Sequence, residues 1–293
     1  MKIFITGSES FVGKELVSQC LKNGIEVAGI DLIDLPSQKY EYKKMDVRSQ
    51  EISDIMPVNT DAIIHLAAVS RESDCKKDLK NCFDVNAGGT INIIDAAIKN
   101  KAHNFIFASS EWVYGESEAV KKETDQTLNT SSPYALSKII GECALRQRYE
   151  ESKMNVVVLR FGIIYGPRKN NWAAVESLFN SVATKDTVEV GSLKTGRNFI
   201  HVSDIASGII SSLRLPGFNI INLAGSQLIT LGDILDESCK ILGRHLKIID
   251  QGKPSVVRSI SNQKAKEILN WEPAYDLEKG LKNIKSATLT NAS

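Results

Sequence analysis

Tyr134 and Lys138 lie four residues apart in SPYALSK, and Ser132-Pro133 just ahead of them signals a helix start. On a helix this spacing puts both side chains on one face. A phenol titrates near 10 and is a poor base at neutral pH, but a neighbouring ammonium group favours the phenolate and lowers that value. Such a pair can take or give a proton at a hydroxyl group while hydride is transferred. The bland alternative is an ordinary surface Tyr–Lys pair, which chance supplies often. Ser109-Ser110 closes the run NFIFASS. A hydroxyl at the carboxyl end of a sheet strand can bond the reacting oxygen opposite the tyrosine, or can be a plain turn serine.

A second constellation lies at the start of the chain. KIFIT runs into GSESFVG and then KELVSQCLKN, the strand–turn–helix context of a phosphate-cradling loop. Gly7 makes the tight turn and Gly13 lets the helix pack close to the sheet. Phe11 and Val12 open the helix whose N–H groups would face a pyrophosphate. Ser10 stands where such loops carry a middle glycine. Asp31 ends the second apolar run, where a carboxylate binds adenosine ribose hydroxyls and repels a 2′-phosphate. Leu32 and Ile33 follow with no arginine, so the pattern favours NAD over NADP. The alternative is a plain helix N-terminus with glycines for packing.

These groups need strands and helices to position them. KIFIT (2–6), EVAGID (26–31), AIIHLA (62–67), NFIFAS (104–109) and VVVLRF (156–161) are nearly continuous apolar runs, as expected of strands buried on both faces. Helical patterns cover 13–23, 82–100 and 133–152. Alternation of this kind predicts an α/β fold, a Rossmann-type doubly wound parallel sheet. After Tyr165 the alternation weakens. A helix over 171–184 and a hairpin-like stretch to Phe199 suggest a smaller C-terminal lobe, and the polar tail 286–293 is expected to fray. The expected division is a dinucleotide-binding domain over 1–165 with 199–224 returning to it, and a substrate-binding lobe over 166–198 and 225–293.

Composition sets outer bounds. A formal net charge of +1 argues against a broad basic face for nucleic acid or an acidic membrane. Five cysteines without a CxxC motif argue against a disulfide framework or a zinc site, and no metal is expected. With no signal-like start and no long apolar run, a cytoplasmic protein is expected.

With these residues in view, the chain resembles the extended short-chain dehydrogenase/reductases, specifically the NAD-dependent sugar epimerase/dehydratase family, UDP-glucose 4-epimerases among them. The resemblance covers the whole chain through motifs in order. TGSESFVG matches T-G-x-x-G-x-x-G except at Ser10. Asp46-Val47-Arg48 matches the region that contacts adenine, and His65-Leu66-Ala67-Ala68 matches the H-x-A-A motif beside the cofactor. Asp84-Val-Asn86 to Thr90, Ser109-Ser110 to Gly115, Tyr134 to Lys138 and Leu159-Arg160 to Pro167 each match a family segment. So do Arg197 to Asp204 and Lys264 to Pro273. The resemblance implies a catalytic triad of Ser110, Tyr134 and Lys138, with Tyr134 as acid/base and Lys138 binding the nicotinamide ribose. It implies further NAD contacts from Asn86 and Ser109, and anionic contacts from Arg197 and Arg258 to a nucleotide-sugar, most simply a UDP-sugar. It also implies a homodimer through the helices spanning 82–100 and 133–152.

Departures from the pattern narrow the chemistry. Family dehydratases carry Asp-Glu where this chain has Glu111-Trp112, and a tryptophan cannot act as a base. Dehydration and decarboxylation are therefore disfavoured. Glu111 is either a solvated surface acid or a substrate contact. Ile163 replaces an asparagine that contacts the nucleotide-sugar, and Asn198 replaces an aspartate. Three readings follow: a nucleotide-sugar epimerase acting at C4 through a transient 4-keto sugar, a net reductase or dehydrogenase of a keto-sugar, and a catalytically silent binding protein. His65 and His201 read as structural, Cys75 and Cys82 as one packed helical face, and Trp112, Trp172 and Trp271 as core or interface residues.

Overall fold

Apolar runs bounded by turns make the main sheet. Its strands are β1 (Lys2–Thr6), β2 (Glu26–Asp31), β3 (Glu41–Lys44), β4 (Ala62–His65), β5 (Asn104–Ser110), β6 (Asn155–Phe161) and β7 (Phe218–Leu223). The structure is a computed structural model and describes residues 1–35, 39–117, 119–127, 129–152, 154–169 and 173–290. Trp172 and the last three residues of the tail lie outside the described residues. The strand order is β7-β6-β5-β4-β1-β2-β3. The pairings from β3 through to β5 are parallel, with Ile3 opposite both Val27 and Ala62. The chain winds outward from β1 to β3 and then restarts on the other side at β4. That reversal opens the sheet's carboxyl edge beside β1, where such sheets bind ligands.

Three helices carry the residues singled out above: α1 (Phe11–Lys22), α2 (Gly89–Lys99) and α3 (Pro133–Ser152). The expected helix over 82–100 is broken. Leu79–Phe83 is a short helix, Asp84–Gly88 is a π-helical turn, and only then does α2 begin. β4 stops at His65 rather than Ala67. β3 was not expected, because EYKK lies at the sheet edge and buries no apolar face. Lys2 ties this edge together, 3.2 Å from Glu26 and 3.2 Å from Glu41. β7 was missed as well.

The chain divides into two units. The first comprises Met1–Gly115, Asp125–Arg160 and Ala206–Ile221, and the second Glu116–Thr124, Phe161–Ile205 and Asn222–Ser293. The break thus falls after Arg160, the returning segment is 206–221, and 116–124 belongs with the later part of the chain. The first unit's core includes Phe4, Ile30, Ile63, Ile93, Phe105 and Phe107.

The second unit contains α4 (Ala174–Thr184), α6 (Leu231–Leu242) and α7 (Leu277–Thr290); α5 (Val202–Ser212) carries the chain from it back to the first. Tyr165, Val175, Phe179, Ile234, Leu281 and Ile284 fill its core. A reciprocal cap starts α6: Thr230 Oγ1 accepts from Asp233 N and the Asp233 carboxylate accepts from Thr230 N. The expected hairpin is absent. Thr187–Val190 pairs in parallel with Lys247–Asp250, a partner far along the chain. Where an irregular tail was expected from 286, α7 continues to Thr290, with the Ser286 and Thr288 hydroxyls bonded to the Lys282 and Ile284 carbonyls. Among the described residues no helix is long and apolar enough to cross a membrane.

Candidate active site

The loop after β1 folds as a phosphate cradle does. Gly7 has φ +71°, and a Cβ there would lie 2.8 Å from Ala67 N; a Cβ at Gly13 would lie 2.2 Å from Gly7 O. Both positions therefore require glycine. Ser10 caps α1: its Oγ accepts from Gly13 N at 3.1 Å. The serine occupies the middle glycine's place without disturbing the turn, and its hydroxyl proton remains available to donate. Phe11 and Val12 form the first turn of α1. Asp31 stands at the end of β2 and accepts from Glu9 N at 2.9 Å and from Leu32 N at 2.7 Å. Leu66, Ala67 and Ala68 follow β4, with Leu66 N bonded to Thr6 O. Asp46 is engaged by Arg48, which holds its carboxyl below the usual range, and Val47 is buried against Gly89. A turn requiring glycine, a helix N-terminus and a strand-end carboxylate are the donor and acceptor set that a dinucleotide needs.

A directional chain of buried hydrogen bonds runs from this loop to the helix of Tyr134. Ala67 N donates to Thr6 Oγ1 at 3.3 Å, and Thr6 Oγ1 lies 2.6 Å from His65 Nδ1. Thr90 gives its proton to the Asn86 carbonyl, so it accepts from His65 Nε2–H at 2.9 Å. His65 is thereby fixed as a neutral ring protonated at Nε2, and burial, helped by the charge on Lys138, pushes its pKa down to about 3. It is a structural link, not a base. Asn86 continues the chain. Its side chain brackets the Val69 backbone at 2.7 and 3.0 Å and donates to Ser137 Oγ at 3.0 Å, and Ser137 donates to the Tyr134 carbonyl at 2.7 Å. The π-helical turn carries Asn86 at its centre, an irregularity of the kind found at functional sites.

Tyr134 and Lys138 lie together on α3 as their spacing implied, and Ser110 joins them as the family resemblance implied. The Ser110 hydroxyl bonds the Tyr134 phenol and lowers its pKa, but burial acts the other way and dominates, leaving it raised to about 12. The expectation that Lys138 lowers the tyrosine is not met here. Lys138 Nζ lies 5.9 Å from the Tyr134 ring centroid and 5.0 Å from that of Phe107. Burial also pushes Lys138 down to about 8. Trp112 meets the Tyr134 ring edge-on, centroids 6.4 Å apart. Glu111 corrects the surface-acid alternative: it is 1% exposed, in the single turn that follows Ser110. Cys75 and Cys82 lie on separate short helices rather than on one helical face; both are free, buried thiols, and Cys75 Sγ donates to the Val69 carbonyl at 3.6 Å.

Sequence reasoning missed the supports beneath this group. Glu142 lies one turn beyond Lys138 and pairs with Arg160 of β6 through Nε at 3.0 Å and Nη2 at 2.6 Å. Arg160 also donates to the Tyr114 hydroxyl at 2.8 Å, and Ser109 gives its hydroxyl proton to Glu142. Ser109 is therefore bound inward by its side chain. The signal was readable: a glutamate on the Tyr–Lys face and an arginine in the apolar run VVVLRF are two buried opposite charges. Glu72 accepts from Ser132 Oγ at 2.7 Å and from Tyr134 N at 3.3 Å, capping the start of α3.

In the second unit, Arg197 and Arg258 are brought opposite each other. Strand Gly196–Arg197 lies between Ile229–Thr230 and Val257–Arg258, and Arg197 is in register with Arg258. Arg197 Nη1 donates to the Gly196 carbonyl at 2.7 Å and the Val256 carbonyl at 2.5 Å, while Arg258 is 3.4 Å from Glu116. Asn198 is spent structurally, joining Gly225 O and Ile260 N. His201 stacks on Tyr275 at 3.9 Å. Ile163 packs against the unit's core, and Trp271 is buried.

Against known proteins, the model of the NAD dependent epimerase/dehydratase family matches residues 3–224. The chain belongs to this family. Among curated epimerase/dehydratase relatives it is 26% identical over 295 residues, 96% of each chain, to a putative UDP-glucose 4-epimerase of Methanocaldococcus jannaschii. It is also 26% identical over 309 residues to the dTDP-4-dehydro-6-deoxyglucose reductase of Escherichia coli, covering 97% of this chain and 96% of that one. The fold is that of MoeE5 in complex with UDP-glucose and NAD, with a TM-score of 0.90, 21% identity and full coverage of both chains.

Proposed function

We propose that this protein is an NAD-dependent nucleotide-sugar epimerase that inverts C4 of the sugar. The observation that carries the reading is the cluster of buried Ser110 and Lys138 with the half-buried Tyr134, on a family fold whose dinucleotide loop keeps Gly7 and Gly13. Gly7, Ser10, Phe11, Val12 and Gly13 hold the pyrophosphate, and Asp31 holds the adenosine ribose. Asp46 and Val47 flank the adenine, with Leu66 to Ala68, Asn86, Ser109 and Lys138 around the nicotinamide half. NAD, when bound, accepts and returns the hydride.

The chain's own residues do the rest. Tyr134 takes the proton of the sugar's 4-hydroxyl and later returns it, with Ser110 bonded to the same oxygen. The free phenol is protonated at neutral pH and burial raises it further, so Tyr134 must give up that proton before it can take one from the sugar. Lys138, charged below about pH 8 and one turn along the helix from Tyr134, would hold the nicotinamide ribose. Trp112 meets the edge of Tyr134 and cannot serve as a base, which supports epimerisation over dehydration. Arg197 and Arg258 supply cationic contacts for the diphosphate.

Purified protein incubated with UDP-glucose, UDP-galactose, UDP-glucuronate and the N-acetyl forms should return the C4 epimer of at least one. No epimer from any nucleotide-sugar sinks the reading. Tyr134→Phe should lower the rate about 10²- to 10⁴-fold with the melting curve intact. The second reading, a net keto-sugar reductase, is favoured by the likeness to the Escherichia coli reductase. Stoichiometric loss of NADH absorbance on adding a 4-keto sugar would select it.

A further inference from the structure

The phosphate loop carries a carboxylate. Glu9 lies between Gly7 and Gly13, where negative charge aimed at a pyrophosphate would weaken binding. In this structure it is turned elsewhere. Its backbone N–H bonds Asp31, and its side chain, 11% exposed, receives the Tyr40 hydroxyl at 2.6 Å. The same hydroxyl lies 2.9 Å from Ser8 Oγ, which fixes Tyr40 across the base of the loop. Lys14 Nζ approaches the other Glu9 oxygen at 3.6 Å but is 60% exposed, so it screens more than it neutralises. Asp31, Glu9 and Asp34 all act on the nearby Tyr42 phenol. Glu9 and Asp31 thus stand side by side at the end of β2, with Asp34 beyond them paired to Lys44 at 2.6 Å; Asp31 alone was expected to choose the cofactor.

We propose that Glu9 is a second determinant of dinucleotide choice, rejecting a 2′-phosphate independently of Asp31, and that Tyr40 positions it by turning it away from the pyrophosphate. This rests on the NAD reading above. A ribose 2′-hydroxyl can donate to a carboxylate, whereas a 2′-phosphate brings about two negative charges against Glu9 and Asp31 together. Tyr40 acts only through Glu9.

The test is calorimetric titration of the purified protein with NAD and with NADP, on the parent and on Glu9→Gln, Glu9→Ser, Asp31→Asn, Tyr40→Phe and Glu9→Gln/Tyr40→Phe. Melting curves identify any variant that fails to fold, and Glu9→Ser stands in if Glu9→Gln does. Removing the Glu9 charge should lower the NADP-to-NAD ratio of dissociation constants about 5- to 10-fold, on the scale of one charge contact near a protein surface. Added salt should compress the parent's ratio more than the variant's. Tyr40→Phe should weaken NAD about 3- to 5-fold, and that loss should vanish when Glu9 is already Gln. A ratio within twofold of the parent in both Glu9 variants overturns the proposal while leaving the NAD reading intact. A parent that binds neither dinucleotide overturns that reading, and the proposal with it.

Discussion

The two units hold their candidate functional residues by different means. In the first, Tyr134 and Lys138 stand on buried side-chain networks. One runs from Thr6 through His65, Thr90, Asn86 and Ser137, and the other joins Ser109, Glu142, Arg160 and Tyr114. In the second, Arg197 is held by main-chain carbonyls on a strand of two residues. Side-chain networks make position depend on residue identity at many remote places. Main-chain support makes it depend on the path of the chain. The first unit's site should therefore be costly to perturb from a distance, and the second's cheap.

Four substitutions probe that contrast. The largest effect is expected from Glu142→Gln, which leaves Arg160 buried without its anion, with side chains 3% and 8% exposed in the parent. Denaturant unfolding should show a loss of about 3–5 kcal/mol, and replacing both partners by leucine should recover much of it. A loss under about 1 kcal/mol would remove the distinction between the units. Lys138→Met follows. The lysine's pKa of about 8 in the fold lies below its ordinary 10.5, so the unfolded chain binds the extra proton between those values and parent stability rises with pH across that window. Lys138→Met should be more stable than the parent near pH 7 by up to about 3 kcal/mol, with the gap closing between pH 8 and 10.5. A gap constant with pH would mean the ammonium is solvated.

Arg197→Ala should move stability by less than about 1 kcal/mol while raising KM about tenfold with kcat little changed. Equal falls in kcat and kcat/KM would give Arg197 a part in the chemistry that its position on the strand does not suggest. The smallest effect is expected from Ser10→Gly. The cap bond to Gly13 N is lost, but glycine also caps well, so stability should fall by only a few tenths of a kcal/mol. NAD affinity should change no more than about threefold by titration. Complete loss would mean that the serine hydroxyl is a principal phosphate ligand.

Much of the first unit was legible because its signals are local. KIFIT, EVAGID and NFIFAS are legible as strands from their short apolar runs, Ser132-Pro133 placed the start of α3, and Tyr134 and Lys138 share a face because a helix turns every 3.6 residues. What escaped is non-local. β3 is polar because it is an edge. The π-helical turn at Asn86 looks like continuous helix until its bonds to Val69 and Ser137 are seen. Glu111 reads as a surface acid because charge usually means exposure, and here it does not. In the second unit, Thr187–Val190 finds its partner at Lys247–Asp250, and nothing between them announces it. The register that faces Arg197 with Arg258 comes from pairing that is likewise remote.

The outer strand β3 has one more consequence. A sheet edge offers open N–H and C=O groups to any passing strand, and a flat apolar edge invites copies of the chain to stack. Here the edge reads Glu-Tyr-Lys-Lys, is four residues long and is stitched through Lys2 to Glu26 and Glu41. A second strand arriving there would have to strip water from several charges with no apolar gain. An edge built this way discourages copies of the chain from pairing strand to strand at high protein concentration.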